Sequence, residues 1–312
     1  MKLSKAIEGY LLYAQNTYST ETVIHYHKTL KKVLNHLGDR EVESIKSNDL
    51  QQYFLFLRTE YKPYRFSGEE RLMSPAGVEG YWKALRSFFK WFDDVFSSGR
   101  PDKAIPQPKY QLAQVQAFSR DELKRIIYSA EWTKEISRKD HKPFRMRRPC
   151  FRRDIALVKL LLDTGLRIGE VSRLKVKDID LETGQIVVAP FGSGQKTKPR
   201  FVFLGKSAKQ AMWVYLASKD IDKEDSIFGA KVKYLQQIVH KIGADADVPN
   251  CHPHRFRHTF AIEYLRSHRD PFTLMRLLGH STLDMSRHYL DILDSDLKDF
   301  HATGIPVDNL KL

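Results

Sequence analysis

His252 to Asp291 reads HPHRFRHTFAIEYLRSHRDPFTLMRLLGHSTLDMSRHYLD, and the reading of this stretch decides the fold of the chain around it. It puts His254, Arg257 and His258 on one short segment, His280 directly after a glycine, and Tyr289 further on. Pro271 suits the first turn of a helix, where its missing N–H costs nothing, and Gly279 suits the position just past a helix end. Ser281 followed by Asp284 reads as a capping box, which predicts a further helix carrying Tyr289 near its end. His254 and Arg257, at i and i+3, share a helix face. Ala261 and Leu265 continue the spacing that seats this helix on a core.

The residue types point to a chemistry. Arginine offers a planar fork that matches two phosphate oxygens, and histidine exchanges a proton near neutral pH. A tyrosine phenol, with a reference pKa of about 10, is a poor nucleophile until cationic neighbours stabilise its charge. Arg, His, His and Tyr together therefore suggest phosphoryl transfer to a tyrosine without a metal.

His254-Arg255-Phe256-Arg257-His258, Leu278-Gly279-His280 and Tyr289 resemble the second motif box of the tyrosine recombinases, the phage integrase family. The first box of that family is an arginine after T-G-L with an acidic residue three positions later. Thr164-Gly165-Leu166-Arg167-Ile168-Gly169-Glu170 fits it. The resemblance covers nearly the whole chain and implies a mainly helical protein with a small antiparallel β-sheet. A helical core-binding domain and an α+β catalytic domain would clamp duplex DNA between them.

By the same resemblance Tyr289 attacks the scissile phosphate, forms a 3′-phosphotyrosyl bond and releases a 5′-hydroxyl. Arg167 and Arg257 hold the nonbridging oxygens, His254 assists proton transfer from the phenol, and His280 hydrogen-bonds the phosphate. Glu170 orients these groups, although charge compensation at a helix N-terminus would also explain it. The family places a catalytic lysine in a β-hairpin. Here Gly192-Ser193-Gly194-Gln195-Lys196-Thr197-Lys198-Pro199-Arg200 has serine where that lysine often stands. Lys196 and Lys198 are both available, and Lys196, nearer the tip, is preferred as the acid that protonates the leaving oxygen. The bond energy stays in the covalent intermediate, so no cofactor, ATP or metal is implied. The expected biology is integration, excision, transposition or resolution of DNA, with self-association on DNA from dimer to tetramer.

Composition agrees with a polyanionic partner. The 312 residues hold 52 Lys and Arg against 38 Asp and Glu, a net charge of +14. No apolar run approaches the roughly 18 residues of a membrane span, and the opening MKLSKAIEGYLLYAQ lacks the features of a signal peptide. Two cysteines, Cys150 and Cys251, lack the pair spacing of a zinc site and fit a reduced, cytoplasmic setting.

Residues 1–100 read as a helical domain. Ala6, Tyr10, Leu11 and Ala14 form one stripe, and Tyr26, Leu30, Val33, Leu34 and Leu37 form a second that ends at Gly38. Ser47-Asn48-Asp49 caps a third helix. Tyr81, Leu85, Phe88, Phe89 and Phe92 give a fourth its buried face. The loop before it carries Tyr61, Lys62, Tyr64, Arg65 and Arg71, candidates for DNA contact. The proline-bearing stretch to residue 114 reads as an extended, exposed linker over 101–114. The catalytic domain would then occupy 115–312, opened by a helix capped at Ser119 with Glu122.

Within it, Arg138 to Arg153 (RKDHKPFRMRRPCFRR) reads as a basic loop, so Arg145, Arg147 and Arg148 are candidates for phosphate contact, as are Lys198 and Arg200. Asp154 to Asp163 is a buried helix closed by Gly165. VKDIDLETGQIVVAP and KPRFVFL alternate as strands. Helices resume at Ala208–Ala217 and Lys231–Ile242, the second closed by Gly243.

Three other readings use parts of the pattern. A metal-dependent hydrolase would use His254 and His258, but no H-E-x-x-H or carboxylate cluster accompanies them. A non-catalytic DNA-binding regulator has no use for Tyr289 beside two arginines. A type IB topoisomerase shares the chemistry, and its expected extra domains are missing.

Overall fold

The computed structural model describes residues 1–64, 70–110, 116–138, 141–190, 199–268 and 270–280. The chain forms two compact units, Met1–Ala113 and Gln114–Leu312.

The first unit is four helices: α1 (Leu3–Thr17), α2 (Thr20–Leu37), α3 (Ser47–Thr59) and α4 (Pro75–Phe96). Their ends follow local chemistry. The Ser19 hydroxyl accepts the Thr22 N–H at the start of α2, and Gly38 leaves that helix at φ 77°. Ser74 caps α4, with Pro75 in its first turn. Tyr81, Leu85, Phe88, Phe89 and Phe92 are all buried, so the aromatic row of α4 is core. Tyr10 meets Phe88 edge-to-face at 5.6 Å, and its hydroxyl reaches Ser87 Oγ at 2.7 Å.

The stretch expected to be an extended linker from residue 101 is instead docked on this unit as far as Tyr110. Pro101–Ala104 makes a 3₁₀ turn. Asp102 is 2 % exposed and takes both arms of Arg100, at 2.7 and 2.6 Å. The Trp82 indole donates to Ile105 O at 3.0 Å, and Tyr110 and Gln107 donate to Glu79. Prolines marked the segment as irregular, but one buried ion pair and one apolar anchor are enough to fasten irregular chain.

The second unit contains α5 (Arg120–Glu131), β1 (Ile136–Arg138), β2 (His141–Phe144), α6 (Phe151–Thr164), α7 (Ile168–Arg173), β3 (Gln185–Val188), β4 (Arg200–Phe203), α8 (Lys206–Leu216), α9 (Val232–Asp245), α10 (Pro253–His268) and α11 (Pro271–Leu278). The strands form two antiparallel pairs, β1 with β2 and β3 with β4, the second in register Gln185 opposite Phe203 to Val188 opposite Arg200. The stretch Arg138–Arg153, expected to be a basic loop, thus holds the end of β1 and all of β2. Val176–Asp178, expected at the edge of a strand, is a 3₁₀ turn. The expected stop at Gly243 does not occur. The helix runs on to Asp245, and Gly243 instead lets Cys251 approach, since an added Cβ would stand 2.1 Å from Cys251 Cβ.

The core of this unit centres on α6, with Leu157, Leu160 and Leu161 fully buried among residues of α5, α7, α8 and α9. Helix α10 lies against α6. Ser119 and Glu122 form the expected capping box on α5. Among the described residues no helix is long and apolar enough to cross a membrane.

Candidate active site

The first motif box straddles the turn between α6 and α7. Gly165 closes α6 at φ 61°, a left-handed conformation that favours glycine. A Cβ there would also stand 2.6 Å from the Phe260 ring and 2.9 Å from Leu278, so the same glycine lets α10 and α11 come close. Arg167 follows at the N-cap of α7, where its backbone N–H donates to Glu170 Oε2 at 2.8 Å.

The second box supplies α10 and α11. Asp270 caps α11, accepting the Phe272 and Thr273 N–H groups, with Pro271 in the first turn. Gly279 ends it at φ 65°. That end leaves carbonyls without helical partners, and arginines take them. Arg257 Nη2 donates to Leu278 O at 2.7 Å and its Nη1 to Gly165 O at 2.8 Å. Arg167 Nη1 reaches the same Leu278 O at 3.5 Å. Arg200 Nε donates to Leu277 O at 2.7 Å. The negative end of the short helix therefore gathers three guanidinium groups from three other elements. Arg257 is 4 % exposed, while the Arg167 side chain keeps 32 % of its surface open.

Glu170 balances part of this charge. Its two oxygens accept Arg200 Nη1 at 2.9 Å and Nη2 at 2.8 Å, and Oε1 stands 3.6 Å from Arg167 Nη1. Burial alone would push its carboxyl up. The Arg200 fork and the Arg167 N–H outweigh that and hold it below the usual carboxylate range.

The histidines feel the same positive field. His280, one residue past Gly279, has its pKa pushed down to about 4 by burial and by Arg257, Arg167 and Arg200. His254, whose surface is open to solvent, is lowered by desolvation and by Arg257 and Arg167. His258 lies one turn along α10, its ring 6.4 Å from that of His254, and is lowered to about 4 by burial, His254, His252 and Arg257. Neutral imidazoles beside fixed guanidinium charges suit a site where an anion is to be held and a proton moved.

Arg167, Glu170, His254, Arg257 and His280 thus come together from segments up to 113 residues apart in the chain. Tyr289, Lys196 and Lys198 lie outside the described residues, as does Arg65 and the helix expected after Ser281. Lys62 is exposed and pairs with Glu70. Arg145 is exposed against Tyr128, and Arg147 pairs with Glu131.

Two expected surface contacts are corrected. Arg200 is 9 % exposed and spent on Glu170 and Leu277, facing inward beside Val202. Strand alternation carried that signal: an inward Val202 requires an inward residue at 200. Arg148 is also drawn inward, onto Asp245 and Asp154. Sequence reasoning also missed Arg255. It is 8 % exposed, pairs with Glu122 at 2.8 Å, donates to Pro249 O and Ala117 O, and lies 4.1 Å over the Phe118 ring. Thr259, beside it, accepts the Phe118 N–H at 2.8 Å. These contacts fix α10 to the segment that enters the second unit.

The model of the phage integrase family matches residues 120–295. The tyrosine recombinase XerA of Saccharolobus solfataricus is 27 % identical over 291 residues, covering 93 % of this chain and 89 % of that protein. The tyrosine recombinase XerC of Staphylococcus epidermidis is 27 % identical over 313 residues, covering 95 % of each. Among solved structures, the Tn1549 transposon integrase in complex with transposon right end DNA shares the fold at TM-score 0.68 and 15 % identity, covering 96 % of this chain and 99 % of that one. A lambda integrase dimer bound to a core site does so at TM-score 0.68 and 17 % identity, covering 91 % and 97 %. With the family model spanning more than half of the residues, and two relatives alike along nearly the whole length, this chain belongs to the phage integrase family, the tyrosine recombinases.

Proposed function

We propose that the protein is a site-specific DNA recombinase that cleaves and rejoins duplex DNA through a covalent tyrosine intermediate. The observation that carries this reading is the convergence of Arg167 and Arg257 on one carbonyl, Leu278 O, with His254 and His280 alongside. Two guanidinium groups fixed by backbone oxygens are positioned before any substrate arrives. That arrangement favours the extra charge on the nonbridging oxygens of a pentacoordinate phosphorus.

In the proposed step the Tyr289 phenol oxygen attacks the scissile phosphorus and the bond to the 5′ oxygen breaks. His254 takes up the phenolic proton. Its depressed pKa keeps it able to accept one at neutral pH. Lys196, or Lys198 in its place, gives a proton to the leaving 5′ oxygen, and His280 donates to a nonbridging oxygen. Reversal with a different 5′-hydroxyl rejoins the strand. Glu170 is a positioning residue. Self-association on DNA, as dimer to tetramer, and action in the cytoplasm complete the reading. The fold likeness to integrases solved with DNA and the net charge of +14 support DNA as the partner.

Replacing Tyr289 by Phe tests it. Duplex binding is expected to persist, while covalent protein–DNA adducts on random fragments, resolved under denaturing conditions, vanish. Adducts that persist in this variant would move the nucleophile to another tyrosine.

A further inference from the structure

We propose that Arg200 is a positioning residue for strand cleavage: by occupying both oxygens of Glu170 it keeps the Arg167 guanidinium available to the scissile phosphate. The proposal rests on the reading of Arg167 as a phosphate-binding group.

Glu170 stands three residues after Arg167 on the same turn. It already accepts the Arg167 backbone N–H at 2.8 Å, and its Oε1 lies 3.6 Å from Arg167 Nη1. A carboxylate so close is a competitor for the fork that the DNA phosphate needs. Left with open lone pairs, Glu170 would draw Arg167 into a two-point pair and spend it before substrate arrives.

Arg200 prevents this by geometry. It comes from β4 and makes the two-point pair itself, at 2.9 and 2.8 Å. Its remaining Nε is fastened to Leu277 O at 2.7 Å. Its flat group also rests on Gly279, where an added Cβ would lie 3.0 Å from Nη1 and 3.1 Å from Cζ. Arg200 is thus held on three sides, and lysine could supply neither the fork nor the third bond. The side chain that stays partly open is Arg167, at 32 %, against 8 % for Arg200. Three guanidinium charges then face one carboxylate, and the excess is left where a phosphate would sit.

The test uses the whole chain and a nicked duplex recovered by covalent capture. It is made with either a normal scissile phosphate or a neutral methylphosphonate in its place. The methylphosphonate has one nonbridging oxygen fewer to hold, so cleavage of it depends less on Arg167. Arg167→Ala sets the reference: cleavage of normal DNA should fall roughly 100-fold, and of the methylphosphonate far less. Arg200→Met is expected to reproduce that unequal loss. Arg200→Lys should fall between it and the unaltered chain. Adding Glu170→Gln to Arg200→Met removes the competitor together with the lost partner. It is expected to bring normal DNA back to within about tenfold of the unaltered chain and to leave the protein folded.

Equal slowing of both substrates in Arg200→Met would reduce Arg200 to a structural part and overturn the proposal. So would unaltered cleavage in Arg200→Met. Should Arg200→Met fail to fold, the double variant decides: a persisting 100-fold loss on normal DNA overturns the idea. If Arg167→Ala itself cleaves normal DNA at full rate, the reading of the site fails first and the proposal falls with it.

Discussion

Arg167, Arg200 and Arg257 on one side, and Arg147, Arg148 and Arg153 on the other, lie in the same unit and carry the same group. The first three are held largely by backbone carbonyls, at Gly165, Leu277 and Leu278, with one carboxylate, Glu170, between them. The others are held by carboxylates: Arg147 by Glu131, Arg148 by Asp245 and Asp154, and Arg153 by Asp154 at 2.7 Å. A carbonyl fixes a guanidinium without cancelling its charge, whereas a carboxylate fixes and cancels together. The motif boxes therefore keep a positive excess for an anion. The longer basic run instead spends Arg147, Arg148 and Arg153 on carboxylates of α5, α6 and α9.

The sharpest way to probe the first group is its single acid. Glu170→Gln leaves Arg200 buried without its counter-charge and should cost about 3–5 kcal/mol of stability in urea unfolding. Because Glu170 is held below its ordinary pKa in the fold, its contribution is present above the unfolded value of about 4.3 and is lost as the pH falls below it. The gap between the unaltered chain and the variant should thus narrow in acid. A gap unchanged at low pH would mean that shape rather than charge is at work.

Arg148→Met probes the second group and should cost about 3 kcal/mol, because Asp154, 3 % exposed, loses a partner that offsets its burial. Its affinity for duplex DNA should keep the same salt dependence. A phosphate-bound arginine would lower the slope of log K against log salt by about 0.9 instead, and that result would return Arg148 to the DNA surface.

A smaller effect is expected from the histidines. His258 and His280 are held near 4 in the fold against about 6.5 unfolded, so the unfolded chain takes up protons first as the pH drops. Stability should fall between pH 6.5 and 4, by about 1 kcal/mol for each histidine once partial exposure is allowed for. His258→Gln should flatten part of that fall, and an unchanged pH profile would remove His258 from the account. Smallest of all, Arg147→Ala breaks an exposed pair and should cost no more than about 1 kcal/mol by the same unfolding measurement. A larger loss would show that its stacking on Phe151 and Trp132 matters more than its charge.

How far the sequence was legible depends on how local the governing physics is. Helix ends were readable because caps act within four residues: Ser119, Gly38, Gly165 and Gly279 all stand where their chemistry places them. The buried face of α4 and the two motif boxes were readable for the same reason, since periodicity and residue order are properties of neighbours in the chain. What the sequence could not state is which group each charge meets. Arg200 and Arg148 look alike on the page, and so do Arg145 and Arg255. Only the tertiary structure sends Arg255 to Glu122 across 133 positions and Arg148 to Asp245 across 97, and turns Arg200 from the β4 strand onto Glu170. Gly243 teaches the same thing for backbone: glycine permits both a helix stop and a close approach. The choice fell to Cys251, brought against α9 by a loop whose path no local rule sets. Long-range pairing decided these points because burying a charge or closing a gap depends on what arrives from elsewhere in the chain.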